Sequence, residues 1–282
     1  MTETEMQSIL VASDLSERSD RAVRRAIRLA RDHGATCHVL HVIDHDLPGE
    51  LAVRWREDAG TQLARFLSAL DSDGVALSHE VCIGDPLQAI PETAVERGAD
   101  LVVLGLHRPR AFLDRLRETT MERVVRLLRA PVLLVRNPAG HDYETVLAPV
   151  SFSPACTAAC RAARALAPSA EIHAFHAIHL PYAGLTGEKP GGPMSRALIA
   201  EAEAARDAWL HQGGPGLAAD RIALVTGGLH QVMADQMASL RPDLVAIGAN
   251  TRFSLAPHLL GSFAAELVRD PPTDLLIACR KT

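Results

Sequence analysis

Apolar residues along this chain switch between two periods. Ile9-Leu10-Val11-Ala12 is a continuous apolar run, the pattern of a strand buried on both faces. Ala22, Val23, Ala26, Ile27 and Ala30 then recur at helical spacing. Between them, Asp14-Leu15-Ser16-Glu17-Arg18-Ser19 supplies turn and N-cap chemistry. The same reading predicts strands over 37–42, 76–83, 101–104 and 132–135 and helices over 51–70 and 121–128. A further helix opens at Gly84-Asp85-Pro86, with proline in the first turn. The second half predicts strands over 146–150, 171–178, 221–226, 243–247 and 274–279, and helices over 155–166, 193–211, 229–240 and 262–269. Strict alternation of strand and helix argues for parallel sheets with helices on both faces.

The chain is also written twice. Ala99-Asp100-Leu101-Val102-Val103-Leu104-Gly105 returns as Pro242-Asp243-Leu244-Val245-Ala246-Ile247-Gly248. Ile9 to Ser16 returns as Val146 to Ser153, and His41-Val42-Ile43 as His176-Ala177-Ile178. A period of half the chain is too long for a solenoid and fits two copies of one domain. We expect domains at 1–138 and 144–282, joined through the polar stretch 137–143. The Gly- and Pro-rich stretch 180–193 reads as a loop or lid.

Composition sets bounds. The 282 residues are 48% hydrophobic and 22% charged, which suits one large or two ordinary domains, and the repeat decides for two. A net charge of -5 gives no basic surplus for nucleic acid. No apolar run approaches a spanning helix, and the acidic, polar start is unlike a secretory signal, so the expected compartment is the cytoplasm. The five cysteines (Cys37, Cys82, Cys156, Cys160 and Cys279) form no framework and read as reduced thiols.

In such sheets ligands sit at the carboxyl ends of the strands, where strand order reverses. That singles out Asp14, Val42 and Gly105 in the first half, and Ser151, Ala177 and Gly248 in the second. Other constellations are weaker. His173, His176 and His179 alternate across a strand and cannot converge on one metal. His38, His41 and His45 are no better placed, and His179 lies nearest the ligand edge. Cys156 and Cys160 share a helix face but lack two further ligands. No serine has a G-x-S-x-G setting, and no Walker lysine follows a glycine loop.

At these positions the chain resembles the universal stress protein family. The resemblance implies a five-stranded parallel fold of strand order 3-2-1-4-5 in each half, with helices on both faces, and association through the fifth strands. Here 132–135 would pair antiparallel with 275–278, so that two sheets pack as a pseudo-twofold dimer within one chain. Both runs would otherwise be exposed apolar edges. Nucleotide-binding members carry G-x-x-G, nine residues, then G-[ST], with an acidic residue after the first strand. In the first half Asp14 and Gly105 match, but Arg108 and Glu118 replace the second and third glycines, before Thr119. In the second half Gly248, Gly261 and Ser262 match, Thr251 replaces one glycine, and Ser151 takes the acidic place.

Glycines let backbone approach a phosphate, and helix-start amides point at the anion. A carboxylate at Glu118 would cap those amides itself and repel a triphosphate. Arg108, Arg110, Arg115 and Arg117 could hold an anion by side chains, or pair with Asp114 and Glu118. Each half therefore keeps an incomplete ATP motif, with the better phosphate cradle in the second. Ser262 and Gly261 could equally be a plain helix cap.

Three functions follow as expectations. The first is a non-catalytic cytoplasmic stress-response module binding a small ligand, an adenine nucleotide such as ATP with magnesium, in the second domain. The second is a slow ATP-hydrolysing enzyme, with Asp14 or His258 as base. The third is a nucleotide-free scaffold for a protein or apolar ligand. No catalytic or metal-ligating residue, nucleic acid or membrane is expected, and two chains could pair as a homodimer.

Overall fold

The computed structural model describes residues 6–44, 48–106, 119–180, 192–212, 216–249 and 261–278. Its first half runs β1 (Ser8–Ala12), α1 (Glu17–His33), β2 (Thr36–Asp44), α2 (Gly49–Ser68), β3 (Leu77–Gly84), α3 (Pro86–Glu96), β4 (Leu101–Gly105), α4 (Thr120–Leu127) and β5 (Val132–Val135). The second runs β6 (Thr145–Pro149), α5 (Pro154–Leu166), β7 (Glu171–Ile178), α6 (Pro193–His211), β8 (Ile222–Thr226), α7 (Leu229–Leu240), β9 (Leu244–Gly248), α8 (Ser262–Arg269) and β10 (Asp274–Ala278). The loop expected over 180–193 falls almost wholly outside the described residues.

The two five-stranded halves meet along the expected seam. They join edge to edge into one ten-stranded sheet of order β3-β2-β1-β4-β5-β10-β9-β6-β7-β8. Within each half the strands are parallel in the order 3-2-1-4-5. At the seam β10 runs antiparallel to β5, with Leu275 opposite Leu134 and Ile277 opposite Val132. Every residue of both seam strands is buried. Two apolar edges thus satisfy each other's backbone groups and leave none exposed.

Helices pack on both faces of this sheet, and the two sheet faces feed two apolar clusters. Val11, Val39, Val103, Val146 and Ala246 belong to one, beneath α1 and α5. Leu10, Val102, Leu134, Val245 and Ile277 belong to the other, beneath α3, α4, α7 and α8. Alternate strand residues face opposite sides, so runs such as Ile9-Leu10-Val11 must be apolar throughout.

Two aspartates explain a repeated piece of sequence. Asp100 Oδ2 accepts from the amides of Gln7 (2.8 Å) and Ser8 (3.1 Å). Asp243 Oδ2 accepts from Glu144 and Thr145 (3.0 Å each). Each ties the start of β1 or β6 to the segment entering β4 or β9, at the edge away from the ligand side.

The connection between halves is fastened rather than loose. Asp274, at the start of β10, is fully buried. Its Oδ1 accepts from the amides of Arg136 and Asn137 (2.8 Å each). Its Oδ2 accepts from the Tyr143 hydroxyl at 2.6 Å, and Arg25 Nε of α1 lies 3.7 Å away. Arg25 also donates to the carbonyls of His141 (2.7 Å) and Pro138 (3.4 Å) and stacks on the Tyr143 ring.

Candidate functional site

Both halves bring equivalent residues to the carboxyl edge of the sheet. After β1 the chain turns through Asp14 and Leu15 into α1; after β6 it turns through Ser151 and Phe152 into α5. Leu15 (φ 58°) and Phe152 (φ 57°) both hold the left-handed conformation, which branched and bulky side chains rarely adopt. The strain is duplicated because the turn must reverse within two residues and still cap a helix. Ser16 caps α1 by accepting from Ser19 N, and Ser153 caps α5 by accepting from Cys156 N.

A histidine braces each turn. His41 Nδ1 donates to the Ser13 carbonyl (2.7 Å) and His176 Nδ1 to the Val150 carbonyl (2.8 Å). A carbonyl can only accept, so the proton sits on Nδ1 in both rings. This explains the repeated His41 and His176, which the sequence reading noticed but gave no task. His173 instead faces Glu171 at 3.3 Å, and His179 is exposed beyond β7. Among the described residues no group of three His, Cys, Asp or Glu could hold a metal.

Asp14 is exposed, and its Oδ1 accepts from Ser16 N at 3.0 Å. Ser151, in the matching place, rests on a sulfur: its amide and the Ser153 hydroxyl both donate to Cys156 Sγ at 3.3 Å. Cys160 lies one turn deeper, where burial pushes its thiol up to about 12, as it does for Cys37. Val42 and Ala177, both half-buried, end β2 and β7 beside these turns.

Gly105 and Gly248 were expected to admit a phosphate. The structure gives them a packing reason too. A Cβ on Gly105 would lie 2.9 Å from Ser19 Cα, and one on Gly248 would lie 2.6 Å from the Ala155 carbonyl carbon. Both glycines let the first turn of α1 or α5 close onto the end of β4 or β9.

The helices that would face a phosphate differ between halves. α4 is closed by its own side chains. Thr119 Oγ1 accepts from Glu122 N (3.2 Å), and Glu122 Oε2 accepts from Thr119 N (2.7 Å). The carboxylate expected at this place from sequence, Glu118, lies outside the described residues; among the described residues Glu122 caps the turn. The capping-box spacing Thr119-x-x-Glu122 was the signal that could have found it. α8 starts at Gly261 with no side-chain cap. Ser262 is exposed in its first turn, and Gly261 N donates to the Ala249 carbonyl at 3.2 Å. Of the other equivalent helix pairs only α3 and α7 differ in this way: Asp85 caps α3, whereas α7 starts at Gly228 with no side-chain cap. Thr251, Arg108 and His258 lie outside the described residues.

The strands part differently as well. β1 and β4 stay in register over Ile9–Ala12, but β6 and β9 pair only at Val146 and Leu147. Pro149 ends β6 and has no amide to continue a ladder.

Comparison with known proteins places this geometry. Universal stress protein MJ0531 of Methanocaldococcus jannaschii is 27% identical over 141 residues, covering 47% of this chain and 83% of its own. Universal stress protein G of Escherichia coli O157:H7 is 33% identical over 134 residues, covering 43% and 90%. Among solved structures, a universal stress protein from Archaeoglobus fulgidus DSM 4304 superposes with a TM-score of 0.68 at 17% identity, covering 97% of this chain and 96% of that one. A functionally unknown protein, PA1789 of Pseudomonas aeruginosa PAO1, gives 0.65 at 18% identity, with 97% and 92% covered. At such identities the likeness is one of fold. The universal stress protein family model matches residues 5–136 and again 142–278, so the chain belongs to the universal stress protein family, as a tandem of two copies.

Proposed function

We propose that this chain is a non-catalytic, cytoplasmic stress-response module whose second half binds an adenine nucleotide, ATP with its magnesium. The observation that carries the reading is the open first turn of α8. Among the described residues no side chain caps this turn, and a helix start of that kind, with its dipole, favours a phosphate. Ser262 adds a hydroxyl donor. Gly248, Ser151 and Ala177 stand at the strand ends on this edge, and Thr251 belongs to the same motif. In the first half Asp14, Val42, Gly105 and Thr119 occupy the matching places, but Thr119 is already engaged with Glu122. Magnesium would enter with the nucleotide. No helix of the described residues is long and apolar enough to cross a membrane.

Calorimetric titration of ATP with magnesium into ligand-stripped protein tests this. Binding in the wild type, weakened at least tenfold in Gly261→Glu, supports it. No binding in the wild type overturns it and favours the scaffold reading.

One contact favours slow hydrolysis as a second reading. His230 Nε2 lies 2.6 Å from Glu266 Oε2, and the His230 ring meets Phe263 in the first turn of α8. A carboxylate holding one ring nitrogen leaves the other as a base. Phosphate release lost in His230→Asn, with ATP affinity kept, would establish it; no release at high enzyme concentration would dismiss it.

A further inference from the structure

We propose that β8, one outer edge of the ten-stranded sheet, is a pairing surface for a second copy of this chain. Two β8 strands run antiparallel about a twofold axis at Leu224 and continue the sheet from one chain into the next.

The two outer edges of the sheet are built differently. The sheet ends in β3 on one side and β8 on the other. β3 is a guarded edge: His79 and Glu80 are exposed in mid-strand, and Arg97 Nη2 lies 3.5 Å from Glu80 Oε2. Charges so placed deter an added strand. β8 reads Ile222-Ala223-Leu224-Val225-Thr226, with no charge and no proline, and Ala223 and Thr226 are exposed. Half of its backbone groups are engaged with β7. β8 pairs in parallel with β7, and Gly227 N donates to the Ile178 carbonyl at 2.9 Å. In such a ladder alternate residues turn both N–H and C=O to the same neighbour. Ala223 and Val225 therefore serve β7, while Ile222, Leu224 and Thr226 turn theirs outward.

The strand is its own complement, which is why the partner is a second copy. About Leu224, Ile222 of each copy meets Thr226 of the other, and the three outward residues of one face the three of the other. That register forms about six backbone hydrogen bonds. Ala223 of one copy falls opposite Val225 of the other, on the side of α7. There the chain leaves room. α7 packs mainly on β6 and β7, and a hollow of about 330 Å³ opens among His173, Ala223, Gln236 and Leu240. Val225 of the second copy enters at this hollow. Beyond the strand ends Arg221 of one copy comes beside Gly227 of the other, and Asp220 beside Gly228, so charged side chains meet glycines and not each other. The chain already makes one seam in this manner, from the apolar strands β5 and β10 run antiparallel. A twofold pair closes on itself. It leaves only the guarded β3 edges at the ends of the joined sheet, so the product is a dimer and not a fibre.

Sedimentation velocity of the full chain over a dilution series tests this. The expected result is a monomer–dimer equilibrium in the wild type. Ala223→Lys should weaken it at least tenfold. So should Thr226→Pro, which removes an outward amide and no bond to β7. His79→Lys, on the opposite edge, should leave it unchanged. Gly228→Glu has open space for its side chain and sets a carboxylate beside Asp220 of the other copy. It should weaken the dimer at least tenfold, and Asp220→Lys added to the same chain should restore it. A wild type that stays monomeric throughout the series overturns the proposal. So does a dimer that survives both Ala223→Lys and Thr226→Pro, or one that is lost in His79→Lys, with each variant shown folded by its denaturation midpoint. A double variant no tighter than Gly228→Glu alone refutes the register.

Discussion

The Tyr143 hydroxyl donates a 2.6 Å hydrogen bond to Asp274 Oδ2, joining the end of the inter-domain connection to the strand that seals the two sheets together. The same carboxylate carries the charge that balances Arg25 of α1, and both ionic side chains are almost wholly buried. Burial, and next the Asp274 charge, hold the Tyr143 phenol well above its usual pKa.

This relationship should be visible in stability. Tyr143→Phe removes one hydrogen bond to a charged acceptor and should cost about 1.5–3 kcal/mol. Asp274→Asn leaves Arg25 buried without its counter-charge and should cost about 3–5 kcal/mol. Urea denaturation of the two variants beside the wild type checks the order. Equal effects would mean that the charge on Asp274 carries no more than its hydroxyl partner.

Gly105 and Gly248 can be tested as packing positions. Alanine at either meets backbone, not a movable side chain, and overpacking of that kind costs about 1–3 kcal/mol. Gly248→Ala should be the worse, because its Cβ would stand at 2.6 Å instead of 2.9 Å. Denaturation midpoints unchanged in both variants would refute the packing role.

His38 predicts a mild acid sensitivity. Burial first, then the Arg97 charge, lower its pKa below the usual 6.5. Its Nδ1 pairs with Ser78 Oγ at 2.8 Å, while Nε2 is buried without a hydrogen bond. A lowered folded pKa means the unfolded chain takes up the proton first. The stability it contributes is therefore full above about 6.5 and is lost as pH falls through the folded value. Thermal melts from pH 7.5 to 5 should show a smaller loss in His38→Gln than in the wild type. A slope identical in both would count against His38.

Ser151 stands where Asp14 stands in the first half, and a carboxylate accepts ribose hydroxyls better than a hydroxyl does. Ser151→Asp should therefore tighten ATP binding several-fold in the same titration that tests Gly261→Glu. Unchanged or weaker affinity would show that the ligand does not reach this turn.

What the sequence determined by itself was everything that repeats locally. Continuous apolar runs such as Ile9 to Ala12 gave strands, 3.6-residue spacing gave helices, and the turn residues Asp14 to Ser19 and Asp85-Pro86 gave helix starts to within a residue or two. The reason is that period and cap chemistry act over a few bonds, so they are written in neighbouring residues. The duplication and the family resemblance then carried the strand order and the seam of 132–135 with 275–278, which the register of Leu275 against Leu134 confirms.

Only the tertiary structure decided which groups meet across the chain. It set Asp274 beneath a connection more than 130 residues earlier in sequence, where charge, hydroxyl and two amides close around one carboxylate. It gave the cap of α4 to Glu122, since that carboxylate is paid a second contact by Arg269 from the other half. Such contacts depend on where two helices end in space, and no spacing within either helix records that distance.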